Sequence, residues 1–276
     1  ANGDQNPTSW SAYGSAGAPN PATQVTTAFA VCSTDTTVQT QVARADSVGP
    51  QAGSTFTTSS VACASGTLLD GGVSADLNGA TPQQGLHLRG SYPSDSTGVA
   101  SANGDQNPTS WSAYGSAGAP NPATQVTTAF AVCSTDTTVQ TQVARADSVG
   151  PQAASTFTTS SVACASGTLL DGGVSADLNG ATPQQGVHLR GSYPSDASGS
   201  PVGNGALNPG SWGAVVQAGG QATSGTNVHV FALCGAGPQP VVSESRIALL
   251  LPLSAAVLFG GVFLVVRRRD HNAPTH

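Results

Sequence analysis

Over most of its length the chain alternates apolar and polar residues in short runs and shows no helical period of useful length. Leu86-His87-Leu88-Arg89 puts two leucines on one face and His87 and Arg89 on the other, solvent-facing one. Thr26 to Cys32 and Phe56 to Cys63 are rich in Thr, Ser, Val and Phe, which suit a pleated surface. Asn227 to Ala232 alternates in the same slot as the first of these. Asn-Gly at 2–3, 78–79, 103–104, 179–180 and 204–205, with Gly71-Gly72 and Gly172-Gly173, supply hairpin-type turn signals. The pattern predicts short antiparallel strands in a sandwich or barrel. One run differs. Ile247 to Val266 is twenty residues without a charge, enough to cross about 30 Å of hydrocarbon as a helix.

The strand pattern is repeated. Residues 1–95 recur as 102–196 with two changes, Gly53 to Ala154 and Leu86 to Val187, and a diverged half-copy follows at about 203–234. Half one carries Asn-Gly, Asn-Pro-x-Ser-Trp and Phe-Ala-x-Cys, with 22 residues from Trp10 to Cys32, Trp111 to Cys133 and Trp212 to Cys234. Half two runs from Cys63, and again from Cys164, through Leu-Leu-Asp-Gly-Gly to Gly-Ser-Tyr-Pro-Ser-Asp. The diverged half-copy keeps Asn204-Gly205, Asn208-Pro209, Ser211-Trp212, Phe231 and Cys234, which are turn, core and cysteine. It replaces Asp105 by Ala206, Gln106 by Leu207, Tyr114 by Val215 and Thr128 by His229.

Two phases fit three copies of half one and two of half two. If the unit runs half two then half one, the modules are 37–137 and 138–238, residues 1–36 close a module whose start is missing, and the disulfides are Cys63–Cys133 and Cys164–Cys234. The other phase pairs Cys32–Cys63 and Cys133–Cys164. Loop entropy does not choose, since closing about 70 rather than about 31 residues changes the term by well under 1 kcal/mol. The repeat ends on half one before the apolar run, which favours the first phase. The cysteines lack metal-ligand spacing.

Composition and charge then narrow the classes. Charged residues are only 8% of the chain, there is no Lys, and residues 1–245 hold four Arg against thirteen acids. Such an acidic segment lacks the basic patch that nucleic-acid binding requires. Arg267, Arg268 and Arg269 follow the apolar run directly and read as a membrane stop with the tail 267–276 inside. Residues 239–246 are then a juxtamembrane linker and everything before them is extracellular, a placement that permits disulfides. No signal-peptide pattern opens at Ala1, so the expectation is that one has been removed or that the chain is a fragment.

The frame Val61-x-Cys63-x-x-Gly66-x-Leu68-x-x-Gly71-Gly72, then Trp111 and Cys133, resembles a poorly characterised Cys-framed β-repeat module of secreted and surface actinobacterial proteins and of some actinophage tail proteins. The resemblance covers nearly all of 1–238 and implies an extracellular, architectural role without catalytic residues; in that family the unit opens near the first cysteine and closes on the second. Asp70 stands where the family usually has a third Gly, and Cys-Ala-Ser-Gly where Cys-Pro-Ala-Gly is common.

Catalytic patterns are thin. There is no Gly-x-Ser-x-Gly elbow, and His87 and His188 are one strand position in two copies. The acids sit beside Gly, Ser or Asn, where turns put them. Asp76-Leu77-Asn78-Gly79 lacks the ligands of a calcium loop and reads as a hairpin. Leu251-Pro252-Leu253-Ser254-Ala255 departs at two positions from a sortase motif. Trp10, Trp111 and Trp212 read as core, leaving Tyr92, Tyr114 and Tyr193 as candidate ligand contacts. The expected fold class is all-β: tandem antiparallel β-sandwich-like modules followed by one C-terminal transmembrane helix. The expected function is a non-enzymatic, single-pass surface stalk or adhesive display structure without cofactor or metal. A carbohydrate-binding array for cell-wall or neighbouring-cell glycans is the alternative.

Overall fold

A computed structural model describes residues 3–14, 25–33, 37–50, 55–76, 86–117, 125–153, 156–177, 187–219 and 226–235. Among them the chain is all-β and its sheets are antiparallel. Ala1–Gly237 forms one compact unit. The expected span 247–266, its flanks 239–246 and 267–276, and the Asn-Gly turns at 78–79 and 179–180 lie outside the described residues. Among those described, no helix is long and apolar enough to cross a membrane.

The first module holds β1 (Thr40–Val48), β2 (Phe56–Ala62), β3 (Thr67–Asp76), β4 (Leu86–Ser94), β5 (Ser110–Ala117) and β6 (Val126–Ser134). The second repeats them as β7 (Thr141–Val149), β8 (Phe157–Ala163), β9 (Thr168–Ala176), β10 (Val187–Ser195), β11 (Ser211–Ala218) and β12 (Asn227–Gly235). Each module is two three-stranded sheets laid face to face, β1-β6-β3 over β2-β5-β4 and β7-β12-β9 over β8-β11-β10. The middle strands β5 and β6 come from half one; all four edges come from residues 40–94, the part of the module that precedes it and includes half two. Neither half can form a sheet alone. Cys63, just after β2, bonds Cys133 on β6, and Cys164 bonds Cys234, so each disulfide ties the two sheets together.

The core is shallow, built mostly from Ala, Val, Leu and Gly around one indole per module. Trp111 on β5 is fully buried and lies on Gly71 of β3, where any Cβ would overlap its ring; Trp212 lies on Gly172 in the same way. The indole N–H, which needs a partner once buried, donates to Ser91 Oγ at 2.9 Å, and in the second module to Ser192 Oγ at 2.8 Å. Gly71-Gly72 and Gly172-Gly173 are therefore not turns. They sit inside β3 and β9, placed there by close approach, the other reason for Gly in a strand.

Two further expectations change. Thr26 to Cys32 forms no strand, although the identical residues 127–133 lie in β6, and Trp10 is 37% exposed where Trp111 is 0%. Among the described residues no strand of half two pairs with residues 25–33, and Trp10 lies on Gly72 instead of on the glycine position that Trp111 and Trp212 cover. Arg89, expected on the solvent face, is fully buried with Nε donating to Ser116 Oγ at 2.8 Å. A bulge between Leu88 and Gly90 breaks the alternation, and bulges re-aim side chains in this way.

Gly172→Ala should press a methyl group into the Trp212 ring and the Phe231 carbonyl. Overpacking of this kind costs about 1–3 kcal/mol, and a unit of this size loses about 2–4 °C of melting temperature per kcal/mol. A thermal melt of residues 1–237 reads it; an unchanged midpoint contradicts the indole-on-glycine packing.

Candidate functional site at the joint between modules

Half two also builds the joint. Edge strand β4 of the first module pairs with edge strand β9 of the second, Gly90 opposite Ser175 and Ser91 opposite Val174. Two three-stranded sheets thereby become one sheet of order β2-β5-β4-β9-β12-β7. Gly173 permits the approach, because a Cβ there would meet the Ser91 carbonyl oxygen. Beside the seam the buried Tyr92 ring packs on buried Phe231 of β12 at 5.9 Å between centroids.

A clip from the β4–β5 connection reinforces the seam. Gly104 N–H donates to the Val143 carbonyl (2.8 Å), Val143 N–H to the Asp105 carbonyl (2.9 Å) and Asn107 N–H to the Thr141 carbonyl (2.8 Å). The Asn107 side chain accepts from Thr141 N–H at 2.8 Å and donates to Gln140 Oε1 at 2.6 Å. Asn107 holds φ at 49°, a left-handed position that Asn tolerates better than most residues.

Two aspartates from equivalent positions meet across the joint. Bulges at Leu68/Asp70 and opposite Leu233/Cys234 turn Asp70 and Asp171 toward one another. Gly71 N–H donates to Asp70 Oδ1 at 2.5 Å and to Asp171 Oδ2 at 2.9 Å. Asp171 is buried and Asp70 partly so. Burial raises both pKa values; Asp70 raises that of Asp171 further, while hydrogen bonds from Asp171 and the Gly71 amide restrain that of Asp70. Two carboxyls this close cannot both ionise cheaply, so the joint favours a proton shared by the pair.

On the second module, His229 is bonded at both ring nitrogens, Nδ1 to Asp147 Oδ1 (2.8 Å) and Nε2 to Asp177 Oδ2 (3.0 Å). Asp177 is the main cause of its raised pKa and Asp147 adds to it, while burial and Arg145 oppose. Arg145 pairs with Asp147 at 2.7 Å, lies over the Phe231 ring at 5.4 Å, and takes the Asn103 side-chain oxygen on its backbone N–H at 3.0 Å. Both nitrogens of a protonated imidazole donate. Held this way, His229 is a strut from β12 to β7 and to Asp177 just past β9, not a free base. In the first module the same slot holds Thr128, which donates to Asp46 Oδ1 at 2.7 Å.

The tyrosines divide. Tyr92 and Tyr193 are buried, and Tyr193 packs on Phe29 at 6.0 Å. Tyr114 is half-buried, stacked at 5.6 Å on Phe56, whose ring is exposed. His87 and His188 stand edge to face at 5.2 Å where β4 nears β10. Cys32 is unbonded and exposed. Arg267, Arg268 and Arg269 lie outside the described residues. Among the described residues no three His, Cys, Asp or Glu side chains gather as metal ligands. Sequence reasoning passed over Asp70 and Asp171 as turn aspartates. The available signal was an Asp where the resembling module carries Gly. No family model, curated protein or solved structure matches the chain.

Both Asp70 and Asp171 have raised folded-state pKa values, so the pair's contribution is full below the ordinary carboxylate range and is lost as pH rises through the raised values. Asp171→Asn keeps the shape and removes the titration. Chemical denaturation of residues 1–237 should show a stability gain on acidification from neutral that shrinks in the variant; identical pH profiles would contradict the shared proton.

Proposed function

We propose that the chain is a single-pass cell-surface protein whose tandem β-sandwich modules form a stalk or adhesive display structure outside the membrane. The span is Ile247–Val266 as a C-terminal helix, with Arg267, Arg268 and Arg269 holding the tail inside. The observation that carries the reading is the sheet shared across the joint. Modules on a loose linker add contour length, whereas modules fused through a strand seam, a clip and a buried aromatic pair extend a rod. The surface, poor in charge and without Lys, and the resemblance to secreted actinobacterial modules support the same placement. A stalk needs no catalytic group. His229, fixed at both nitrogens, fits that.

A second reading rests on the Phe56–Tyr114 stack, an aromatic surface open to solvent and suited to a sugar ring. Such a surface would recognise cell-wall or neighbouring-cell glycans, and it belongs to the first module, because Val215 stands in the place of Tyr114 in the second.

An epitope at the N-terminus should be reached by a non-permeant antibody on intact cells, and deletion of 247–266 should release the chain from the membrane fraction. Labelling only after permeabilisation would sink the surface reading. Retention of residues 1–237 on purified wall polysaccharide separates the two roles. The stalk predicts no effect of Tyr114→Ala, and the glycan surface predicts loss of retention at an unchanged melting temperature.

A further inference from the structure

Among the described residues the three sheets end in six edge strands, and four of these are guarded. The clip bonds β7 through Gly104 and Asn107, and Gly3 and Asn6 bond β1 in the same way. Both strands also carry an ion pair, Arg145 with Asp147 and Arg44 with Asp46. The edges β3 and β10 lie beside the joint, β3 against β9 and β10 against β4. Strands β2 and β8 have none of this. Among the described residues no strand lies beyond either of them. Residues 55–63 and 156–164 hold no charge, no Pro and no Gly. Their pairing with β5 and β11 runs without a bulge. Folded proteins blunt exposed edges with such devices, because an open edge is a template for another strand.

The ladder fixes which groups point outward. Ala117 N–H donates to the Thr55 carbonyl (3.1 Å) and Cys63 N–H to the Thr109 carbonyl (3.0 Å), one at each end of β2. Bonded pairs recur at every second residue of an antiparallel ladder, so Thr57, Ser59 and Val61 also spend their backbone groups on β5. Phe56, Thr58, Ser60 and Ala62 turn their N–H and C=O away from it. The matching bonds from Ala218 N–H to the Thr156 carbonyl and from Cys164 N–H to the Gly210 carbonyl are both 3.0 Å. They turn the backbone groups of Phe157, Thr159, Ser161 and Ala163 outward on β8.

This edge is complementary to itself. Laid antiparallel against a second β2, Phe56 falls opposite Ala62 of the second copy and Thr58 opposite its Ser60, so each outward N–H meets an outward carbonyl. Opposed residues share a face, so the core-facing side of one sheet continues into that of the next. The Phe56 ring, 43% exposed, then lies beside a small Ala side chain and not against another ring. Strand β8 has the same sequence, and Phe157, 61% exposed, finds Ala163 in the same way. With no charged residue in either strand, no like charges are brought together.

We propose that β2 and β8 are docking edges for a second copy of this chain, which adds its own β2 or β8 as an antiparallel strand. Strand addition takes its affinity from main-chain bonds. A pairing of one edge with its own equivalent is isologous and closes as a dimer, and two such edges on one chain let further copies join. The inference goes beyond the surface reading and holds wherever the chain resides.

Sedimentation equilibrium on residues 1–237 tests it, every protein carrying Cys32→Ser to exclude thiol cross-linking. The average mass of the parent should rise with concentration past that of a dimer. Thr58→Lys, which charges one edge, should stop the rise at the dimer. Thr58→Lys with Thr159→Lys should hold the mass at that of one chain, at an unchanged melting temperature because both side chains are exposed. Thr58→Pro with Thr159→Pro removes two outward N–H groups and no ladder bond, and should give the same monomer. Thr58→Val with Thr159→Val leaves the edges uncharged and should associate as the parent does. The proposal is overturned if the parent keeps the mass of one chain at every concentration, or if the Lys and Pro proteins associate as strongly as the parent.

Discussion

An indole lying on a glycine holds each module together, and the two residues come from different halves of the repeat. Trp111 and Trp212 belong to half one; Gly71 and Gly172 belong to half two. The chain tests this dependence on itself. Residues 1–33 and 102–134 have the same sequence, yet among the described residues only the second stretch forms strands and buries its tryptophan. Local propensity is identical in the two places. What differs is whether strands of half two pair with them on either side, so tertiary packing decides the outcome, as expected where strand preference reflects burial more than backbone bias.

The same half-two segment serves a second purpose. In Leu170-Asp171-Gly172-Gly173 the first glycine admits the indole of its own module and the second admits the backbone of the neighbour, while the aspartate meets its equivalent from the other copy. Three consecutive residues thus link core, seam and proton-sharing pair. In the third half-copy His229 stands where the second has Thr128, and it braces β12 against Asp147 of β7 and against Asp177 just past β9. His229 and the aspartate pair strengthen their surroundings on the acidic side of neutrality, whereas Asp147 and Asp177, whose pKa values His229 and Arg145 depress, lose their part under strong acid.

The all-β, antiparallel character was legible in period-two runs such as Phe56 to Ala62 and in the absence of any helical period. Other features were not, for physical reasons. Gly-Gly signals a turn and a close approach with the same residues, and only the partner tells them apart. Alternation put His87 and Arg89 outside because a bulge leaves no mark in a period-two pattern. Tyr92 and Tyr193 read as surface candidates because the neighbour that buries a ring is a copy of the same module, invisible when one copy is read alone. Asp70 beside glycine reads as a turn residue until Asp171 is brought to it.

The account depends on the two modules being one body, and amide hydrogen exchange tests that directly. The N–H groups of Gly104 and Asn107 close the joint, while their equivalents Gly205 and Asn208 sit on an exposed loop of the same shape. In residues 1–237 the first two should exchange as slowly as amides inside β6, and the second two at the rate of an open loop. Equal, fast exchange at all four would mean that the modules hang independently and that the shared sheet does not persist in solution.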